Sequence, residues 1–248
     1  MYFLVDHNKK LIIGWSAKSG CTHVKILWQF LVNNITDISR FNRQSPNPIN
    51  IHKNTYGKEI KDIPKSKLES YKMLIIIRNP YERIISGFVD KYCKEKYFLN
   101  DFTADNLTFK IFVDELYENG LKNINYHHFT KQLSELWVYL TRDCPFEKCK
   151  DVTFMDMENI DYSILEKIYK KKIPDDFKNF KGSHANNNKK NTSLNKKVYN
   201  IPGKNLINNK PSTQCFYNDD IYNKVTEIYK DDLDLFKIHG FNYNIIYK

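Results

Sequence analysis

The 248-residue sequence predicts an α/β fold in one domain over residues 1–248, with a mostly parallel sheet flanked by helices. Strand-like apolar segments alternate with helix-like amphipathic segments, the order that produces parallel strands joined by helices. The run KMLIII at 72–77 is almost entirely apolar, as in a strand buried on both faces. At 10–25, a strand-like segment passes through a loop of small residues directly into a helix-like one.

The first half of the chain contains most of the predicted strands. YFLVD (2–6) and KLIIGWS (10–16) predict two short strands joined by a DHN turn. A helix is expected from about Thr22, and residues 40–67, rich in Pro, Asn and Lys, predict loop. After the strand at 72–77, Pro80 stands in the first turn of a predicted amphipathic helix through YERIISGFVDKYC. The face of the first helix expected to be buried consists of Val24, Leu27, Phe30 and Leu31.

The second half is mainly helical by the same criteria. LTFKIFVDELYENG predicts a helix closed by Gly120, and HFTKQLSELWVYL (128–140) is expected to extend the helical layer. DVTFMDM (151–157) predicts a strand, followed by a helix from DYSILEKIYKK, whereas residues 178–215 have the composition of irregular structure. NDDIYNKVTEIYKDDLDLFKIHG (218–240) predicts one helix, capped by Asp219 or Asp220 and stopped by Gly240. Its apolar face consists of Ile221, Val225, Ile228 and Phe236.

Composition and charge restrict the possible partners. Hydrophobic residues make up 41% and charged residues 27%, the balance of a soluble globular chain, and no apolar run is long enough to span a membrane. With no signal peptide recognisable, a cytoplasmic location is expected. The net charge of +10 comes from 34 Lys and only 5 Arg, and the accompanying Asn and Ile suggest AT-rich codons. Since Arg reads phosphates and guanines best, no nucleic-acid partner is expected, but an anionic ligand is.

The cysteines form no framework that the sequence can identify. There are five of them, and Cys144 and Cys149 bracket a short loop that either closes a local disulfide or carries free thiols. A zinc site built from this pair with His127 or His128 would lack the second cysteine pair of a zinc finger, so no metal site is expected.

The segment AKSGCTHVK contains the first candidate site. A small-residue loop at the end of a strand leads into a helix, and such a junction aims backbone N–H groups and the positive helix end at one anion. Lys18 and Lys25 add charge and Thr22 adds a hydroxyl, but the Walker A order is absent because Lys precedes Gly20. The alternative is an ordinary strand–helix turn with a solvated lysine.

RNPYERIISGF contains the second candidate site. Arg78 follows the buried strand at the edge where open α/β sheets bind ligands, and Ser86 lies one to two turns into the next helix. Both can meet one phosphate, whereas the alternative for Arg78 is an ion pair at the strand end. Glu82 and Arg83 are expected to form a solvated or ion-paired face. Together the two segments predict a ligand with two separated phosphate-like ends. The sequence shows neither a Walker B strand nor a carboxylate placed to bind magnesium, so a reaction that uses ATP fits poorly.

This pair of segments resembles the sulfotransferases that use 3′-phosphoadenosine 5′-phosphosulfate (PAPS). The nearest group resembles the Golgi carbohydrate sulfotransferases of the chondroitin/dermatan 4-O and HNK type, with their bacterial and viral relatives. The PKxGCT segment of the family stands here as AKSGCT, with Ala17 in place of proline, and R-[DN]-P-[FY]-E-R…S-x-F stands as RNPYERIISGF. H-[FW]-x-P-Q stands as HFTKQ, with Lys131 in place of proline.

Three further segments extend the resemblance from about residue 10 to 243. VTFMDMENIDY is similar to a strand-and-Glu region of the family, SHANNN (183–188) to its H-x-N loop, and IYKDDLDLFKIHGF to its terminal helix. The resemblance implies a P-loop-like sulfotransferase fold that transfers a sulfuryl group from PAPS to a hydroxyl, releases 3′-phosphoadenosine 5′-phosphate (PAP) and needs no metal.

The resemblance also implies roles for individual residues. Lys18 would stabilise the leaving phosphate, Thr22 would contact the 5′-phosphate, and Arg78 with Ser86 would bind the 3′-phosphate. His128 would be the general base, with the adjacent His127 as the alternative, and His184 would contact the nucleotide. The residues expected to bind the donor are Lys18, Ser19, Gly20, Cys21, Thr22, Lys25, Arg78, Ser86 and His184.

Two other functions stay open from the sequence. One is a nucleotide kinase or phosphotransferase of P-loop-like type, which predicts dependence on ATP and magnesium. The other is an inactive module that binds PAP or a glycan. The acceptor implied by the resemblance is a carbohydrate hydroxyl, and the basic charge favours an anionic one; tyrosine and small-molecule hydroxyls stay open.

Overall fold

The computed structural model describes residues 1–42, 44–59, 62–63, 66, 69–120, 124–133, 152–180, 197–207 and 211–247. The chain forms two compact units. The first unit comprises Met1–Ile77 and Gln132–Asn186, and the second comprises Arg78–Lys131 and Asn187–Lys248. Each unit has its own cluster of buried apolar residues. The single domain over residues 1–248 stays a prediction.

The first unit contains a five-stranded sheet in the order β3-β1-β2-β4-β5. The strands are β1 (Tyr2–Asp6), β2 (Leu11–Trp15), β3 (Lys58–Glu59), β4 (Lys72–Ile77) and β5 (Val152–Asp156). β2, β4 and β5 run parallel, whereas β1 pairs antiparallel with β2 and β3. The predicted α/β class with a mostly parallel sheet is confirmed. β3 lies in the stretch predicted as loop, because a strand of two residues has no periodicity to detect.

The central strands are buried on both faces, as the continuous apolar run predicted. In β4, Met73–Ile77 are all buried, so alternating side chains on each face avoid water. On one face Leu11, Ile13, Leu74 and Ile76 belong to the core cluster of the first unit. The first-unit helices that add to this cluster are α1 (Cys21–Leu31), α2 (Ile51–Asn54), α6 (Tyr162–Tyr169) and α7 (Asp175–Lys178). The 3₁₀ helix Ile38–Phe41 lies beside them.

The second unit is helical and its core is rich in aromatic rings. Its helices are α3 (Pro80–Phe88), continued by the π-helical turn Val89–Cys93, then α4 (Phe109–Asn119), α5 (Tyr126–Phe129), α8 (Asp219–Ile228) and α9 (Lys230–Ile238). Two 3₁₀ helices, Gly203–Leu206 and Thr213–Phe216, lie in the stretch predicted as irregular. Aromatic members of the core include Phe88, Phe109, Phe112, Phe129 and Phe216.

Three sequence predictions for helices need correction. The C-terminal segment forms two helices that meet at Tyr229, not one. Its cap is Asn218, whose side chain accepts from the Ile221 amide, because the cap must be the extended residue before the first helical one. In HFTKQLSELWVYL, helix ends at Phe129 and residues 130–133 are irregular; residues 134–140 lie outside the described residues.

Over the described ranges, no helix combines the length and the apolar composition needed to cross a membrane. Cys93 is a free and buried thiol. Cys144 and Cys149, which were considered for a disulfide or a zinc site, lie outside the described residues.

Candidate functional site

The loop between β2 and α1 is a tight turn that contains a strained lysine. The Ser19 amide donates to the Ser16 carbonyl at 3.2 Å, which closes a four-residue β-turn. Lys18 occupies the third position of this turn with φ 67°, in the left-handed region that suits glycine. For a residue with a side chain this conformation costs about 1–2 kcal/mol. Strain of this kind is concentrated at functional sites, which supports a role for Lys18.

Gly20 connects the turn to the helix and has two reasons to be glycine. Its φ is 77°, again in the left-handed region. A Cβ at this position would lie 2.8 Å from Cγ of Met157, which follows β5. A side chain would therefore be strained by its backbone and would also force Met157 to move.

The N-terminus of α1 differs from that of four other helices. Side chains of Asn79, Thr108, Asp161 and Asn218 cap α3, α4, α6 and α8. In α1 the N-cap is Gly20, which has no side chain, and the first turn contains no acidic residue. The positive end of this helix is therefore not neutralised by its own sequence, which is the arrangement that suits an anion.

The residues of α1 that are predicted to bind an anion are half-buried. Cys21, Thr22 and Lys25 all have intermediate exposure. Burial lowers the pKa of the Lys25 ammonium, and Cys21, one turn earlier, partly opposes this shift. His23 lies between them in the sequence, and its Nε2 shares a hydrogen bond of 2.8 Å with the Tyr162 hydroxyl. Burial also lowers the pKa of His23, so its ring is neutral at pH 7.

Ser19 is the predicted ligand-binding residue whose side chain faces inward. It is fully buried, and its hydroxyl donates to Oε1 of Gln132 at 2.8 Å. Gln132 was not predicted as a functional residue. The available signal was its place in HFTKQ, a segment singled out for its histidine alone.

β2 and β4 are neighbouring parallel strands, so their carboxyl ends lie at the same edge of the sheet. Trp15, the last residue of β2, pairs with Ile76 of β4. The turn containing Lys18 follows the first strand, and Arg78 is the next residue in the chain after β4. Both segments that the sequence predicts to bind an anion therefore follow parallel strands, as expected; their binding of an anion stays a prediction.

On α3, the residues that stay accessible form one stripe. Within Pro80–Phe88, only Glu82 and Ser86 are not buried. Glu82 and Ser86 are four residues apart, which places them on one side of α3, and Arg78 lies two residues before the helix begins. The Arg78 guanidinium lies 3.6 Å from the Glu82 carboxylate, so the ion pair considered from the sequence is present and also orients the arginine.

Arg83 does not lie on a solvated face, which was one of the two possibilities considered for it from the sequence. Its side chain is 0% exposed, and Nη1 donates to the Thr130 carbonyl at 2.8 Å. Successive helix residues point about 100° apart, so the neighbour of a surface Glu82 can face the interior. Burial lowers the pKa of the guanidinium, and Tyr229 and the buried Asp232 oppose this shift.

His128 is the more defined of the two adjacent histidines. It is half-buried whereas His127 is exposed, and its Nδ1 lies 2.5 Å from Oδ1 of Asn125. An amide oxygen only accepts, so Nδ1 carries the proton and Nε2 has the lone pair of the neutral ring. The backbone N–H of Asn125 donates to the Tyr92 hydroxyl at 3.0 Å. This is the tautomer a general base requires at Nε2.

The backbone that follows His128 is fixed by contacts from α3 and from the junction between α8 and α9. Arg83 of α3 binds the Thr130 carbonyl, and the Tyr229 hydroxyl donates to the Phe129 carbonyl at 2.8 Å. Gly87 permits close packing here, because a Cβ would lie 2.5 Å from Cε1 of Phe129. The histidine therefore belongs to a segment of defined position.

Comparison with models of protein families identifies the family of the chain. The model of the family described as "Sulfotransferase family" matches residues 1–241. The chain belongs to the sulfotransferase family. No curated protein and no solved structure gives a significant match to the chain. The resemblance to sulfotransferases noted from the sequence is confirmed, and the assignment to the carbohydrate-specific group stays a prediction.

Membership of this family supports sulfuryl transfer in general. The match to the family model includes both segments predicted to bind an anion and the segment with His128. His184, expected to contact the nucleotide of the sulfuryl donor, lies outside the described residues. Among the residues that the structure describes, no three His, Cys, Asp or Glu side chains are grouped to hold a metal ion.

Proposed function

We propose that this sulfotransferase-family protein transfers a sulfuryl group from PAPS to a hydroxyl of a carbohydrate, with His128 as base and without a metal. The observation that carries the proposal is the β2–α1 junction. There a strained Lys18 precedes a helix N-terminus that its own sequence leaves unneutralised. A family whose donors are anionic explains why the chain retains both features.

The β2–α1 junction binds the 5′-phosphosulfate of the donor. The α1 N-terminus and the Thr22 hydroxyl supply hydrogen-bond donors, and Lys25 adds positive charge one turn later. Cys21 contributes its backbone at the first helical position. Lys18 neutralises the charge that builds on the 5′-phosphate as the S–O bond breaks, and this preorganised charge is the main source of catalysis.

Arg78 and Ser86 bind the 3′-phosphate. Ser86 lies on the accessible side of α3, Arg78 lies just before that helix, and the Arg78 guanidinium is paired with Glu82. A guanidinium fork and a hydroxyl are the donors that a terminal phosphate prefers. Since a 3′-phosphate distinguishes PAP from AMP, these two residues account for donor selectivity.

His128 activates the acceptor. Its Nε2 takes the proton of the acceptor hydroxyl while that oxygen forms a bond to sulfur, and PAP leaves with the electrons of the broken S–O bond. Asn125 fixes the required tautomer through Nδ1. His127 is the alternative, but its exposed ring lacks the buried setting of its neighbour. The net charge of +10 favours an anionic carbohydrate as acceptor, and His184 is proposed to contact the donor nucleotide.

Thermal unfolding with candidate nucleotides tests the proposal without knowledge of the acceptor. PAP, ATP, GTP and AMP are compared with and without magnesium. A ligand at 100 times its Kd stabilises by about 2.7 kcal/mol, equivalent to a shift of roughly 5–10 °C for a chain of this size. A shift selective for PAP and independent of magnesium is expected. A shift only with ATP and magnesium would indicate a phosphotransferase, and no shift would contradict donor binding.

Transfer itself is then measured with labelled PAPS and a panel of glycans, together with tyrosine peptides and small phenols. Incorporation into an anionic glycan is the expected result. PAP binding without transfer to any acceptor, unchanged by replacement of both His127 and His128, would indicate an inactive binding module.

A further inference from the structure

Three buried polar side chains form a connected chain beneath the turn that carries Lys18. Ser16, Ser19 and Gln132 are between 0% and 3% exposed. The Ser19 hydroxyl donates its only proton to Oε1 of Gln132, at 2.8 Å. Because Ser16 Oγ lies 2.9 Å from Ser19 Oγ, the Ser16 hydroxyl must be the donor in that bond. The hydrogen bonds therefore run in one direction, from Ser16 through Ser19 to Gln132.

This chain joins the same two residues that close the turn. The Ser19 amide bonds to the Ser16 carbonyl, and the two side chains bond to each other across the same turn. Lys18 lies between them in its left-handed conformation. Ser19 also immediately precedes Gly20, the N-cap of α1. Movement of Ser19 would therefore displace both the lysine and the start of the helix.

Gln132 anchors this row of hydrogen bonds. It lies 113 residues after Ser19 in the sequence, and its side-chain oxygen accepts the proton of the Ser19 hydroxyl. Buried polar groups are costly unless they are fully bonded, and a bonded network fixes one geometry more strictly than apolar packing does. We propose that Gln132 is a positioning residue for donor binding, which acts through Ser19 on the Lys18 turn. This inference rests on the proposed function and adds a residue to it.

A second buried glutamine in the first unit provides a matched control for Gln132. Gln29 of α1 is also buried and donates from its amide to the hydroxyl of buried Thr55. This second pair joins the same two kinds of group, with the amide as donor instead of acceptor, and it holds the later part of α1, where Gln29 Oε1 also accepts from Asn33. Loss of either pair is expected to lower stability. Loss of the Ser19–Gln132 pair alone is expected to weaken donor binding.

The test uses Ser19→Ala, Gln132→Met, the double variant and the control Gln29→Met. Methionine keeps the length of the glutamine but removes the acceptor. PAP affinity is measured by calorimetry at a temperature at which circular dichroism shows every variant folded, and Tm is measured separately. We expect each single substitution of the Ser19–Gln132 pair to weaken PAP binding at least tenfold. The double variant should be no weaker than the singles, and Gln29→Met should lower Tm with PAP affinity unchanged.

The outcomes separate this inference from the proposed function. If the wild-type chain does not bind PAP, the proposed function fails. If the wild type binds PAP and Ser19→Ala and Gln132→Met keep its affinity while Tm falls, the pair is structural only and the inference is wrong. Additive losses in the double variant would show that Gln132 does not act through Ser19. Should Gln132→Met not fold, Ser19→Ala is compared with Ser16→Ala, because Ser19→Ala removes the bonds to both Ser16 and Gln132 whereas Ser16→Ala removes only the first. Equal PAP affinities in these two variants would overturn the role of Gln132.

Discussion

Replacing Lys18 by glycine should make the protein more stable and less able to bind its donor. The lysine has φ 67°, a conformation that costs about 1–2 kcal/mol in a residue with a side chain. Glycine removes that cost but gives the unfolded chain more freedom, which offsets about 0.4–1 kcal/mol. The net gain is between about 0 and 1.6 kcal/mol, or a rise in Tm of up to about 6 °C at this chain length.

The same substitution removes the ammonium proposed to meet the 5′-phosphate. Hydrogen bonds to charged groups contribute about 1.5–3 kcal/mol. Their loss therefore corresponds to a roughly ten- to hundredfold weaker affinity for PAP. Stability and binding are predicted to change in opposite directions, which simple unfolding of the site would not produce. The assay is calorimetry with PAP, together with Tm in the absence of ligand.

Lys170 provides the matched control. It has φ 51°, is exposed, and ends α6 in the same left-handed conformation. Lys170→Gly should raise Tm by a similar amount and leave PAP affinity unchanged. A Lys18→Gly variant that keeps wild-type affinity would refute the role of the lysine. A fall in Tm for both variants would refute the argument from strain.

Arg78→Ala should weaken PAP binding at least tenfold with little change in Tm, because its ion pair is partly exposed and contributes little to stability; calorimetry checks this, and unchanged affinity would remove the 3′-phosphate assignment. His128→Ala should abolish sulfuryl transfer yet retain PAP affinity, and the same pattern in His127→Ala instead would move the base by one residue. Burial lowers the pKa of His23 from 6.5, so the unfolded chain takes up this proton first as the pH falls. The free energy of unfolding, measured in urea, should therefore decrease from pH 7 to pH 5 less steeply in His23→Gln than in the wild type, and equal slopes would contradict the assignment.

The features predicted well are those whose causes are local in the chain. β4 was identified from its apolar run, and the C-terminal end of α4 from Gly120. The β2–α1 junction was recognised because small residues separate a strand-like from a helix-like segment. Each of these signals lies within about fifteen residues, and each reflects a conformational preference of the backbone itself.

The errors concern side-chain burial and weak local preferences. Arg83 was expected on a solvated or ion-paired face with Glu82, since charged residues seldom lie inside, yet it is buried and donates to a carbonyl 47 residues away. Asn218 and the two aspartates after it are all good caps by composition, and the local backbone decided among them. β3 has only two residues and exists because β1 offers an open edge.

The sequence by itself determined the longer strands and most of the longer helices, the loop before α1 and the family to which the chain belongs. Only the tertiary structure decided which polar groups are interior: Arg83 beneath the His128 segment, and Ser19 with Gln132 beneath the Lys18 turn. The physical reason is that backbone preference is set by neighbours in the chain. Burial and hydrogen-bond satisfaction are set by residues that the fold brings together, here across 113 positions, and such contacts have no local signature.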